Sequence, residues 1–146
     1  MAKRKKNAAI LFAVAACAAQ IVLFRHMVRM EEAIPVRILW TVLAVVVTLP
    51  LHEAIHWIVM VLCGMKDARI EFARDPLGLP SLRAIARGNV SGAKRVIVFL
   101  APFLLLTVLP DVLFCTAGQI HLFFFIMAVC NAAGSCFDLA EVLVKQ

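Results

Sequence analysis

Apolar residues gather in four long runs, at 8–24, 38–63, 96–117 and 120–144, with polar breaks between them. Each run comes close to the roughly 20 residues that a helix needs to cross a hydrocarbon layer. Backbone groups placed in lipid must find their partners within the segment, so helices are the expected form. The pattern predicts an all-α polytopic membrane protein of about four transmembrane helices, with residues 1–146 forming a single membrane domain. The one extended polar stretch, 64–95, has a different texture. Ala68, Ile70 and Phe72 alternate with Arg69 and Glu71, which predicts a short strand. Asp75-Pro76-Leu77-Gly78 is a turn signal, and 82–87 can return as a second strand. A small cytoplasmic hairpin or loop lying on the membrane surface is expected between helices two and three.

Composition agrees with a membrane class. The chain is 64% hydrophobic and has no tyrosine, and its mean hydropathy of +0.96 exceeds that of ordinary soluble domains. The formal charge of +6 could suggest a nucleic-acid partner. The basic residues lie between apolar runs rather than on one face, so no nucleic-acid partner is expected. The five cysteines, Cys17, Cys63, Cys115, Cys130 and Cys136, contain no Cys-x-x-Cys pair and read as small buried hydrophobes.

Lysine and arginine set the direction of the spans. With the N-terminus inside, twelve of the fifteen fall on the cytoplasmic side and three (Arg25, Arg29 and Arg37) on the other. Both termini are therefore expected in the cytoplasm, with the chain integral to the inner membrane. The basic head, apolar run and Val14-Ala15-Ala16-Cys17 loosely resemble a lipoprotein signal with a modifiable cysteine. The run continues past Cys17 to Phe24, as an uncleaved anchor does.

The second run carries the chemistry. His52-Glu53-Ala54-Ile55-His56 places two histidines one turn apart on one helix face. Two imidazoles so placed can reach one Zn²⁺. Glu53, rotated about a quarter turn, can touch a metal-activated water without being a ligand and take its proton as general base. Three ionisable groups within five residues of an apolar segment each cost some kcal/mol in lipid, and so need a partner or a function.

Catalytic zinc usually takes three protein ligands. His26 and His121 lie toward the outer side. His56 is eight residues from Gly64, about 12 Å from the cytoplasmic end of its helix. Asp138 is seven residues from Lys145, about 10 Å from the same side. Asp111 fails this depth test. Asp138 is thus the expected third ligand, with Glu141, a turn closer to the cytoplasm, in reserve. Asn131 lies two turns before Asp138 on the same face, where it can bond substrate backbone or a developing oxyanion, or simply bond between helices. Gly134 and Ser135 suit a close helix approach or a local helix break. Pro50 is expected to bend the second span and free a carbonyl near the site, and Pro102 and Pro110 can act likewise in the third.

At these residues the chain resembles the site-2-type intramembrane metalloproteases and, more closely, a short bacterial family of zincin peptidases. The resemblance rests on Leu51-His52-Glu53-Ala54-Ile55-His56, on Leu100-Ala101-Pro102 at the start of the third span, and on the segment from Asn131 to Leu139, and it covers about residues 48–144. It implies Zn²⁺ as cofactor, held by His52, His56 and Asp138, with Glu53 as general base. It also implies a membrane protein or peptide as substrate, cleaved in or near a membrane segment of the lipid bilayer. Two other readings fit the same residues. One is a non-catalytic membrane protein with a structural or regulatory metal site; the other is a transport or ion-path subunit whose buried polar groups conduct.

Overall fold

The computed structural model describes residues 2–28, 31–74, 80–87 and 92–144. Helix α1 spans Ala2–Phe24 and α2 spans Ile34–Leu62. Strands β1 (Lys66–Arg74) and β2 (Pro80–Arg87) follow. Helix α3 (Gly92–Phe103) passes through a π-helical segment, Leu104–Val108, into α4 (Leu109–Ala117), and α5 covers Leu122–Val144.

Helices α1, α2 and α3 begin earlier than the apolar runs alone indicate, whereas α5 begins two residues later. Helix α2 starts at Ile34, with Pro35 in its first turn, where a proline loses no intrahelical bond. Arg37 therefore lies inside the helix rather than ahead of it. In the same way, Lys94 and Arg95 join α3. Charged residues mark where an apolar run ends, not where backbone bonding does. At the far ends, Gly64 and Gly118 adopt left-handed backbone, with φ of 68° and 69°. That conformation stops α2 and α4 at little steric cost. His121 opens α5: its Nδ1 accepts the Phe123 N–H at 3.2 Å.

Among the described residues, two stretches, Ile34–Leu62 and Gly92–Ala117, are long and apolar enough to cross a membrane, whereas the apolar parts of α1 and α5 are shorter. Large apolar side chains such as Leu39, Val46, Leu49 and Leu62 are exposed along α2. Helix α5 is the central element and packs against α1, α2, α3 and the π segment. One core cluster joins Ala44, Ile55, Ala101, Leu106 and Met127, and a second joins Phe24, Phe114, Ile120 and Ala128.

The hairpin is a genuine two-stranded antiparallel sheet, so the fold is not purely α. Its register pairs Phe72 with Leu82 and Ile70 with Ala84, with an irregularity between Lys66 and Arg69 where Asp67 takes a positive φ of 54°. The turn expected at 75–78 lies outside the described residues. The docking of the sheet departs from expectation. Trp57 donates its indole N–H to the Ala68 carbonyl at 3.0 Å, and the Ala84 N–H donates to Glu53 at 2.7 Å. Glu53 lies nine residues before Leu62, about 14 Å back along the helix. The sheet therefore folds back beside α2 instead of standing off beyond its end. An unpaired strand edge needs backbone partners, and α2 supplies one from a side chain in its middle.

Candidate metal centre

Two elements bring three ligand atoms to a common point, and α3 supports them. Helix α2 contributes His52 and His56, one turn apart, and α5 contributes Asp138. The Asp138 Oδ2 atom lies 2.9 Å from His52 Nε2 and 3.2 Å from His56 Nε2. The two Nε2 atoms are 3.1 Å from each other. Among the described residues, this is the group of three such side chains whose ligand atoms all lie within 4.8 Å. It is well enclosed: the side chains of His56, His52 and Asp138 are 5%, 11% and 16% exposed.

The far side of each ring decides which nitrogen carries the proton. His56 Nδ1 lies 2.9 Å from the Val98 carbonyl. A carbonyl only accepts, so His56 Nδ1 must donate. His52 Nδ1 lies 2.8 Å from Asn131 Oδ1. The orientation of Asn131 is set in turn, because its Nδ2 donates to the Pro102 carbonyl at 2.9 Å and to Thr107 Oγ1 at 2.9 Å. Oxygen must therefore face His52, and His52 Nδ1 also donates. With Nδ1 of both rings donating, a neutral ring turns a lone pair on Nε2 toward the other and toward a carboxylate. Three acceptors then converge unless a proton on one ring or a cation lies among them. A cation resolves that arrangement, and two imidazole nitrogens with one carboxylate oxygen are ligand types that zinc takes.

Proline explains why Val98 can take part. A proline has no N–H to offer the carbonyl four residues earlier. Pro102 thus leaves the Val98 oxygen outside the α3 ladder, and His56 uses it. The π-helical segment begins two residues later, and within it Thr107 accepts from Asn131 while its own hydroxyl donates to the Ala128 carbonyl at 3.3 Å. The sequence pointed to Pro102 as a residue that could release a carbonyl. It did not indicate that the carbonyl would orient a histidine, and Thr107 was not singled out. The spacing of Val98 and Pro102 was the available signal.

The amide of Asn131 is 1% exposed and fully engaged by His52, Pro102 and Thr107. The substrate or oxyanion contact expected of it finds no spare N–H here, and the side chain orients His52 instead. Glu53 is partly buried, and its Oε2 accepts the β2 backbone bond described above. A Cβ added at Gly134 would meet open space, so that glycine serves no close helix approach, and α5 runs through it without a break. The Glu141 side chain, the reserve ligand, lies outside the described residues. The groups set aside by depth pair elsewhere: His121 Nε2 lies 3.3 Å from Glu32, Arg25 donates to His26 Nε2 at 3.2 Å, and Gln20 donates to Asp111 at 2.9 Å.

A sequence model of the family described as "Putative zincin peptidase" matches residues 45–144, more than half of the chain. That match includes every residue of the cluster and of its hydrogen-bonded surround. No curated protein and no solved structure matches the chain.

Proposed function

Because the chain belongs to the zincin peptidase family, we propose that it is an intramembrane zinc endopeptidase, with His52, His56 and Asp138 holding the ion and Glu53 as general base. The observation that carries this reading is the meeting of three lone-pair donors, the two imidazoles already oriented from behind. Zinc bound there supplies a Lewis acid that polarises a peptide carbonyl and makes water easier to deprotonate. The protein's own groups do the rest. Asn131 Oδ1 and the Val98 carbonyl keep the protons of His52 and His56 on Nδ1, so both Nε2 atoms stay available. Glu53 accepts the proton of the attacking water on its carboxylate and returns it to the leaving amine nitrogen. The Ala84 N–H on Oε2 steadies that carboxylate and leaves Oε1 for the transfer.

The β2 strand supports a peptide as substrate. The Ala84 N–H points away from β1, toward Glu53. In an antiparallel strand alternate residues face the same way, so Leu82 and Ala86 share that outer edge. An extended peptide backbone can pair along such an edge, and Glu53 sits on this one at Ala84, between Leu82 and Ala86. The four apolar runs support four membrane crossings, and the distribution of lysine and arginine supports both termini on the cytoplasmic side. A ligand set within apolar helices supports a substrate bond in or near a membrane segment. Non-helical backbone at such depth is tolerated where protein covers it, and Trp57 and Glu53 provide cover for this hairpin.

Metal analysis of the detergent-purified chain tests the proposal. Wild type should carry about one zinc per chain, and His56→Ala and Asp138→Ala should each reduce that to background, since three protein ligands are the usual minimum for such sites. A wild-type preparation without zinc, or variants that keep it, would remove the centre.

A further inference from the structure

Ser135 is completely buried, at 0% exposure, and its hydroxyl has no hydrogen-bond partner. It follows Asn131 by four residues and precedes Asp138 by three, so the three side chains stack along one face of α5. His52 touches both ends of that stack, with Nδ1 on Asn131 at 2.8 Å and Nε2 on Asp138 at 2.9 Å. Ser135 therefore faces the imidazole from between its two partners. A helical serine commonly turns its hydroxyl back onto the carbonyl four residues earlier; this one does not. The bonds described for Asp138 all use Oδ2. Residues three apart on a helix have Cβ atoms about 5–6 Å from each other, so the Ser135 hydroxyl can reach the second oxygen, Oδ1, by turning about χ1.

We propose that Ser135 is a positioning residue of the metal centre: its hydroxyl donates to Asp138 Oδ1 and keeps Oδ2 turned toward the two imidazoles. The inference rests on the metal-site reading above. Neither neighbour on the stack can do this work, because the amide of Asn131 is fully engaged and Asp138 is the group to be held. A serine hydroxyl, which both donates and rotates freely, suits a carboxylate that must exchange imidazole contacts for an ion.

The test uses the full chain in detergent, stripped of metal and titrated with Co²⁺, whose visible absorption reports the arrangement of its ligands. Removing a hydrogen-bonding group behind a ligand typically weakens metal binding about 10–100-fold. Ser135→Ala should bind Co²⁺ at least about tenfold more weakly and with an altered absorption envelope, while Ser135→Thr, which keeps the hydroxyl, should resemble wild type in both. If the alanine variant does not fold, Ser135→Gly is read in its place. Wild-type affinity and spectrum in the variant lacking the hydroxyl would overturn the assignment. So would weaker binding with an unchanged spectrum, which marks a packing effect, or a threonine variant that behaves like alanine. Wild type that takes up no Co²⁺ would overturn the metal reading itself, and this inference with it.

Discussion

Two pairs of helices in this molecule each hold a partly buried carboxylate, and they treat it differently. Between α1 and α4, Gln20 Nε2 donates to both oxygens of Asp111, at 2.9 and 3.2 Å. Between α2 and α5, Asp138 meets two imidazole nitrogens whose protons are already committed on the other side of each ring. In the first pair a donor meets an acceptor at both carboxylate oxygens, although Gln20 Oε1 stays buried without a partner. In the second, acceptors meet acceptors. Burial of charge is common to both, so burial alone does not identify a working centre. The mismatch of donors and acceptors does, because it requires something positive from outside the chain.

By that contrast, chemistry should depend on the α2–α5 centre and the groups behind its ligands, and not on the α1–α4 pair. Glu53→Gln removes the proton acceptor but leaves the three ligand atoms and can still accept the Ala84 N–H. Peptidase activity should fall by about 10²–10⁴-fold, the usual contribution of general acid–base catalysis, with zinc content unchanged. Turnover of a membrane-peptide substrate beside metal analysis reads both quantities. Undiminished activity would mean that Glu53 is a structural carboxylate for the hairpin and not the general base.

Pro102 separates the donor–acceptor argument from simple packing. In Pro102→Ala, residue 102 regains an N–H able to return to the Val98 carbonyl, the acceptor on which His56 Nδ1 depends. Zinc affinity should drop about tenfold, at the low end for groups behind a ligand. The metal-free protein should be no less stable, since a proline inside a helix is itself unfavourable by about 3 kcal/mol relative to alanine. Competition with a chromophoric chelator measures the affinity, and thermal unfolding of the stripped protein measures the rest. Equal losses in both would reduce Pro102 to a packing residue.

What the sequence could and could not indicate follows the same division. Helix identity came from apolar runs, because satisfying the backbone in an apolar setting leaves few alternatives. His52 and His56 share a face by helical spacing, and residue counting along two helices was enough to place Asp138 at their level, where the structure brings the three together. Backbone acceptors were another matter. The Val98 oxygen has no side-chain signature, and only the proline four residues later hints at its freedom. The π-helical segment, Leu104-Leu105-Leu106-Thr107-Val108, reads as ordinary apolar helix, since its register is held by contacts such as Thr107 with Asn131 from a distant part of the chain. The alternation of Ile70 and Phe72 with charged residues indicated a strand, yet nothing in a strand pattern says which helix it will lie against. The Ala84–Glu53 bond spans 31 residues, and local periodicity carries no information at that separation.

The smallest effect should appear at the other carboxylate. Asp111→Asn keeps an oxygen for Gln20 Nε2 and loses one charge-assisted bond of two, so its stability should change by no more than about 1 kcal/mol. Gln20→Ala leaves the carboxylate without its donor and should cost about 1–3 kcal/mol, read as a lower unfolding temperature. Neither substitution should alter zinc content or the pattern of metal dependence, because the Gln20–Asp111 pair lies on helices that contribute no ligand. A loss of zinc in Asp111→Asn while the fold persists would mean that the two carboxylates are coupled through the helix packing. The pair on α1 and α4 would then belong to the centre rather than serve as a clasp between helices.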